Sequence, residues 1–315
     1  MEDFRAYSPE DVIYANLRET GERIDMICEQ ELAHLRELAA EITKDIEDDP
    51  ELAASLPELF PKTAEPVFEG LTQNADALRG IRPFRTAWQH FRLCSEVCRR
   101  MREKKPIRPE VFFPEPDELA ENALERIAYQ RSSYADTAYL RFADLLSIPR
   151  AVYTHSFPAA CEEVYNGLCE YCLLPLENSS EGPLNSFTRL IDRYELKIAA
   201  TCDVTAADGS RTTRFALVRR QLVPIAYGEE REERRFELSL PPDASPSVPI
   251  LLCVAELCGL TLSRLDSRPH PTEREPRIHT HMTFDTQNGD LPTFLLYLLT
   301  QAPESEHVGY YPHLK

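Results

Sequence analysis

The chain has 315 residues, 43% of them hydrophobic, with one Trp and a formal net charge of −18. That length and apolar content suit two or three packed domains and exclude a disordered chain. The acidic balance argues against a nucleic-acid partner, whose phosphates need Lys and Arg, and leaves a small anion only a locally basic pocket. No apolar run reaches the roughly 18 residues of a membrane span, and Met1-Glu2-Asp3-Phe4 lacks the basic start and apolar stretch of a secretion signal. A cytoplasmic protein is expected. Nine Cys, an odd number scattered along the chain, fit reduced thiols better than a disulfide framework.

The first element opens at Ser8-Pro9-Glu10-Asp11, where a capping hydroxyl, a proline at the first helical position and early acids favour a helix start. Leu17, Ile24, Cys28, Leu35, Ile42 and Ile46 recur at helical spacing, so one helix is expected to about residue 47, roughly 60 Å at 1.5 Å per residue. A helix that long needs a partner along its length, from this chain or a second one. Helices over 64–74 and 84–104 follow; on the latter Phe84, Trp88, Phe91, Ser95 and Cys98 share a face. These elements predict an all-helical bundle over residues 1–105. The proline-rich stretch over 106–125 stiffens the chain and reads as a linker.

From 126 to 228 strands and helices alternate: strand 127–129, helix 136–146, strand 151–153, helix 158–166, strand 172–174 and helix 184–194, a pattern that predicts a mostly parallel sheet. The Asp208-Gly209 turn signal then joins 196–203 and 213–219 as a hairpin. The last segment, 229–315, gives strand 236–240, helix 248–258, strands 260–265 and 278–284, helix 292–301 and a final strand near 307–310. That βαββαβ order describes a ferredoxin-like domain. The expected fold is therefore multidomain: α, then α/β, then α+β.

Three motifs carry a resemblance. Leu174-Pro175-Leu176-Glu177-Asn178-Ser179-Ser180-Glu181-Gly182 and Thr213-Arg214-Phe215 resemble the signature of prephenate dehydratases. Asp266-Ser267-Arg268-Pro269 resembles a turn of the phenylalanine-binding ACT domain that follows them. Leu17-Arg18-Glu19, Ile24-Asp25 and Arg36-Glu37-Leu38-Ala39, with Phe84, Trp88, Phe91 and Ser95, fall at the spacing of chorismate mutase helices. The whole chain is thus similar to the bifunctional chorismate mutase/prephenate dehydratase family.

The resemblance implies roles for particular residues. Thr213 would be the general acid that helps expel the ring hydroxyl of prephenate, with Arg214 an anion partner, Asn178 and Ser179 lining the cleft, and Ser133 in the turn that holds substrate. Arg18 would be a mutase cation, and Asp266, Ser267, Arg268 and Pro269 would form an amino-acid effector site. No cofactor or metal is implied. A homodimer through the helical and ACT-like domains is expected, with prephenate or phenylalanine as ligands.

The chain departs from the family in each module. Two mutase cations fall on Leu35 and Ile46, the glutamine of the third helix falls on Arg99, and the acid beside Lys62 becomes Thr63. Losing each charge-assisted contact costs about 1.5–3 kcal/mol of transition-state binding. The Gly-rich turn reads Gln130-Arg131-Ser132-Ser133-Tyr134-Ala135-Asp136, without glycine. Only 14 residues separate Ile198 from Thr213, where a second α/β lobe needs at least about 60. Pro246 stands where the effector-binding glycine is expected.

Weaker signals read as structural. Cys169-Glu170-Tyr171-Cys172 has metal or redox spacing without a second pair, so a buried thiol is expected; His279 and His281 are expected on the sheet surface, and Arg231 to Arg235 in a solvated linker. The function expected is a catalytically eroded, regulatory or amino-acid-sensing relative in phenylalanine biosynthesis. The rivals are an active dehydratase whose cleft a partner subunit completes, and an assembly partner of an intact enzyme.

Overall fold

The computed structural model describes residues 9–44, 56, 60, 82–113, 125–225, 234–270 and 277–314. The chain divides into two compact units, Met1–Ile107 and Arg108–Lys315. No described helix is long and apolar enough to cross a membrane.

In the first unit, α1 (Pro9–Thr43) and α2 (Arg82–Lys104) pack together. Leu35, Ala39 and Ile42 recur at helical spacing on α1 and are buried, as are Leu93, Cys94, Val97 and Cys98 on α2. Polar pairs fix the register: Arg85 to Glu31 at 3.5 Å, Arg36 to Glu96 at 3.4 Å, and Arg100 Nε to Thr43 Oγ1 at 3.1 Å. Both numberings rise together, so the two helices run parallel. Leu35, where the resemblance wants a cation, is 1% exposed and belongs to this core. The helix expected to about residue 47 is described as far as Thr43; the helix expected over 64–74, with Ile46, Lys62 and Thr63, lies outside the described residues.

The second unit is built on one ten-stranded sheet. In chain order its elements are β1 (Glu125–Gln130), α3 (Ser133–Ala143), β2 (Pro149–Thr154), α4 (Phe157–Tyr165), β3 (Tyr171–Asn178), β4 (Gly182–Pro183), α5 (Asn185–Arg193), β5 (Lys197–Thr205) and β6 (Thr212–Arg219). Then follow β7 (Arg234–Leu240), α6 (Val248–Leu257), β8 (Thr261–Pro269), β9 (Ile278–Asp285), α7 (Leu291–Gln301) and β10 (Glu306–Leu314). Caps set the helix starts: Ser132, Ser156 and Asp290 accept from the backbone N–H three residues on.

The strand order is β2-β1-β3-β6-β5-β10-β7-β9-β8, with β4 on β3. The mostly parallel sheet expected for the α/β segment is corrected to a mixed one: β2, β1 and β3 are parallel, whereas β6 runs antiparallel to both β3 and β5. The cause is the tight hairpin at Ala206–Arg211, held by Asp208 accepting from Ser210 N and by Gly209 at φ +72°. The last six elements have the expected βαββαβ order, with strands arranged β10-β7-β9-β8. β10 joins the halves, pairing in parallel with β5 and antiparallel with β7.

Strand alternation sorts the core into two layers. Phe215, Leu217, Ala200 and Cys202 pack with α3, whereas Ala216, Val218 and Ile198 pack with α4 and α5. Two further expectations are corrected here. Asp266-Ser267-Arg268-Pro269 is not a turn, because each residue pairs with β9 in the extended strand β8. His279 and His281 are buried, at 8% and 3% exposure; Ser239 Oγ lies 3.2 Å from His279 Nδ1, and His270 stacks on His279.

Candidate ligand site at the sheet seam

A cavity of about 370 Å³ opens on the α5 side of the sheet, where β3, β6 and β5 meet β10, β7, β9 and β8. Its first wall depends on a bulge. Pro175 pairs with Phe215 and Glu177 with Arg214, so Leu176 is an extra residue in β3. Pro175 has no N–H to give the ladder, which favours an irregularity at that point. The added residue shifts the alternation and turns Glu177 onto the side of Arg214.

Arg214 commits three of its five N–H donors to carboxylates of the protein itself. Its Nε and Nη2 donate to Asp203 Oδ1 and Oδ2 at 2.8 and 3.1 Å, and Nη1 donates to Glu177 Oε2 at 3.2 Å. The Asp203 carboxyl is held well below the usual carboxylate range, first by its bond from His313 and then by Arg214. Thr201 Oγ1 lies 3.0 Å from the other ring nitrogen of His313 and fixes the ring.

The second wall comes from β8 and β7. Arg264 Nε and Arg268 Nη2 both donate to Asp266 Oδ2, at 2.6 and 2.9 Å. Burial pushes the Asp266 carboxyl up, yet these two guanidinium groups hold it below its ordinary value. Arg264 reaches Glu177 at 4.0 Å and Arg268 reaches Glu237 at 4.0 Å, while Tyr311 Oη donates to Glu237 at 3.1 Å.

Three polar atoms at the cavity remain without a hydrogen-bond partner: Asp192 Oδ2, Arg264 Nη2 and Arg268 Nε. Asp192 sits in the last turn of α5, on the same stripe as the buried Thr188 and Ile191. Burial raises its carboxyl to about 7, against the opposing pull of Arg268. Carboxylates and guanidiniums are thus matched in number around the cavity, with Leu176, Ile191, Ile198 and Val308 as its apolar part.

The residues singled out in the sequence divide between this cavity and other places. Arg214, Asp266 and Arg268 line it together, although the motifs assigned them to two sites. Thr213, adjacent to Arg214 on β6, alternates to the opposite side and is 7% exposed. Asn178 Oδ1 accepts from Ser180 N and Oγ and so closes the β3–β4 turn on itself, whereas Ser179 Oγ accepts from Thr212 N and staples that turn to β6. Ser133 is exposed at the first position of α3, Ser267 and Pro269 lie on β8 outside the cavity lining, and Arg18 is exposed on α1 in the other unit. Arg99 pairs with Glu96 and Glu103 on its own helix.

Asp192, Asp203, Glu237, Arg264 and His313 carry no motif and escape sequence reasoning, since the sheet alone gathers them. Asp192 did leave a signal: an acid four residues after Thr188 and next to Ile191, on the apolar stripe of its helix. Among the described residues, no group of three or more His, Cys, Asp or Glu is placed to hold a metal.

No protein-family model matches the chain, and no curated protein sequence matches it. Among solved structures, it is similar to a prephenate dehydratase from Streptococcus mutans at TM-score 0.47 and 19% identity, over 60% of this chain and 99% of that one. It is also similar to a prephenate dehydratase from Arthrobacter aurescens solved with L-Phe, at TM-score 0.45 and 17% identity, over 59% and 90% of the two chains. A quorum-quenching acylase gives TM-score 0.44 and 19% identity, over 60% and 96%.

Proposed function

We propose that this protein is a divergent relative of the prephenate dehydratases with a regulatory, ligand-sensing role in phenylalanine biosynthesis, and that it does not dehydrate prephenate. One observation carries the non-catalytic part: Arg214, the anion partner of the Thr-Arg-Phe motif, has its guanidinium occupied by Asp203 and Glu177. A substrate carboxylate would have to share this guanidinium with two carboxylates that already neutralise its charge, or displace them at a cost of several charge-assisted hydrogen bonds. Asn178 is similarly committed to its own turn and Ser179 to the backbone of β6. The hydroxyl of Thr213 lies on the far side of the strand from the cavity, with no second lobe encoded between β5 and β6 to enclose it.

A dimer through α1 belongs to the same proposal. The face of α1 that buries Leu35 and Ile42 continues toward its N-terminus as Ile13, Leu17 and Ile24, which are 54–61% exposed. A second copy presenting the same stripe would extend the α1–α2 packing over it.

The test is release of phenylpyruvate from prephenate by the full chain. No turnover above the uncatalysed rate is expected. Turnover that disappears in Thr213→Ala would overturn the proposal and establish instead an active dehydratase whose cleft is completed by a partner subunit.

A further inference from the structure

We propose that the seam cavity hydrolyses a small ester with an apolar acyl group, with Thr201 as nucleophile and His313 as general base. This goes beyond the regulatory reading above and does not depend on it. Thr201 is buried from bulk solvent and lines the cavity, whereas Thr213, the acid implied by the motif, lies on the other side of its strand.

The parallel pairing of β10 with β5 builds the group. Thr201 stands opposite His313, and Asp203, two residues further along β5, presents its side chain to the same face. Thr201 Oγ1 is 3.0 Å from His313 Nδ1, and His313 Nε2 is 3.5 Å from Asp203 Oδ2. Asp203 is ionised at neutral pH, because His313 and Arg214 hold its carboxyl well below the usual carboxylate range. Its carboxylate therefore accepts from the ring N–H at Nε2 and leaves Nδ1 as the acceptor of the Thr201 hydroxyl. Arg214 grips both Asp203 oxygens, at 2.8 and 3.1 Å, so the carboxylate that orients the ring is fixed in turn. A hydroxyl, a ring nitrogen able to take its proton and a carboxylate behind the ring together activate a nucleophile for acyl transfer.

The cavity supplies the surroundings of the reaction. Arg264 Nη2 and Arg268 Nε, donors without a hydrogen-bond partner, serve the oxyanion of a tetrahedral intermediate. Leu176, Ile191, Ile198 and Val308 receive the acyl chain, and the volume of about 370 Å³ limits the ester to a small one. Thr201 Oγ1 attacks the ester carbonyl carbon while its proton passes to His313 Nδ1. As the intermediate collapses, the C–O bond to the leaving group breaks, and the alcohol departs with that proton. An acyl ester on Thr201 remains. Water then gives a proton to Nδ1 and attacks the acyl carbon; the bond to Thr201 Oγ1 breaks, that oxygen recovers the proton, and the carboxylic acid is released.

Hydrolysis of 4-nitrophenyl butyrate by the full-length protein tests this, followed as release of 4-nitrophenolate and by mass spectrometry of the peptide that contains Thr201. Turnover above the buffer rate is expected, with a butyryl group on Thr201 after acid quenching. Thr201→Val keeps the shape of the side chain and should abolish both, while Thr201→Ser should retain turnover. His313→Gln should lower kcat by about 100-fold or more. Asp203→Asn should lower kcat and leave KM unchanged, since the ring loses its orienting charge while the acyl pocket is intact. No hydrolysis above the buffer rate, turnover unchanged in Thr201→Val, or butyryl groups only on other residues would each overturn the assignment. None of these results bears on phenylpyruvate release from prephenate, so the two proposals fail separately.

Discussion

Replacing Asp192 by Asn is expected to stabilise the unliganded protein at high pH and to do less as the pH falls. Asp192 is ionised in the unfolded chain above its ordinary value near 4, whereas in the folded protein burial keeps it protonated up to about 7. A carboxyl whose folded value is raised binds more protons when folded, so its folding penalty begins near pH 4, grows as the pH rises and is complete above about 7. A rise of about three pH units at 1.36 kcal/mol each puts the full penalty at up to about 4 kcal/mol at pH 8, and at about 1–2 kcal/mol at pH 5. Asn fills the same space with no charge to bury. Urea denaturation of both proteins at pH 5 and pH 8 measures the difference directly, and the advantage of the variant should grow by about 2–3 kcal/mol between the two. An Asn variant no more stable than the wild type at pH 8, or a difference independent of pH, would refute the picture of Asp192 as a carboxyl whose burial disfavours its ionised form.

Arg214→Met should destabilise the protein by about 1–3 kcal/mol, since it strands Asp203 and Glu177 at a site solvent reaches only in part. For a unit of this size that is a fall in Tm of about 3–10 °C, and a neutral or stabilising result would indicate an arginine held for substrate instead. Gly309→Ala tests the seam: an added Cβ would stand 2.7 Å from Tyr311 Cδ1 and 2.8 Å from the Ile198 carbonyl oxygen. Because the second neighbour is backbone of β5, overpacking should cost about 1–3 kcal/mol by chemical denaturation; a change under about 0.5 kcal/mol would mean that β10 can shift off β5 freely. Ile24→Glu on the exposed stripe of α1 should convert a dimer to monomers in sedimentation velocity while leaving the helical circular dichroism unchanged. A monomeric wild type would sink the α1 interface.

Most elements of this chain were legible from periodicity and punctuation. The alternation of strands and helices after residue 125, the Asp-Gly hairpin and the βαββαβ order all follow from local rules, because each is decided by residues a few positions apart. Reading Asp266 to Pro269 as a turn rested on the resemblance of four residues and failed for the opposite reason: pairing with β9, a segment distant enough to escape any local rule, keeps the strand extended. His279 and His281 look like solvent-facing polar residues of a sheet, yet contacts distant in sequence bury them.

For the candidate site the division is sharper. The sequence alone determined that an Arg would stand at 214 and that no second lobe could fit between β5 and β6; that Asp266 and Arg268 share one face of an extended strand came from pairing with β9. Only tertiary structure decided what those residues do. β10 lies between β5 and β7 and so brings the two halves edge to edge, the bulge at Leu176 turns Glu177 toward Arg214, and α5 sets Asp192 over the join. Charge pairing depends on distances of a few ångströms between strands up to about a hundred residues apart, and no local pattern encodes those distances.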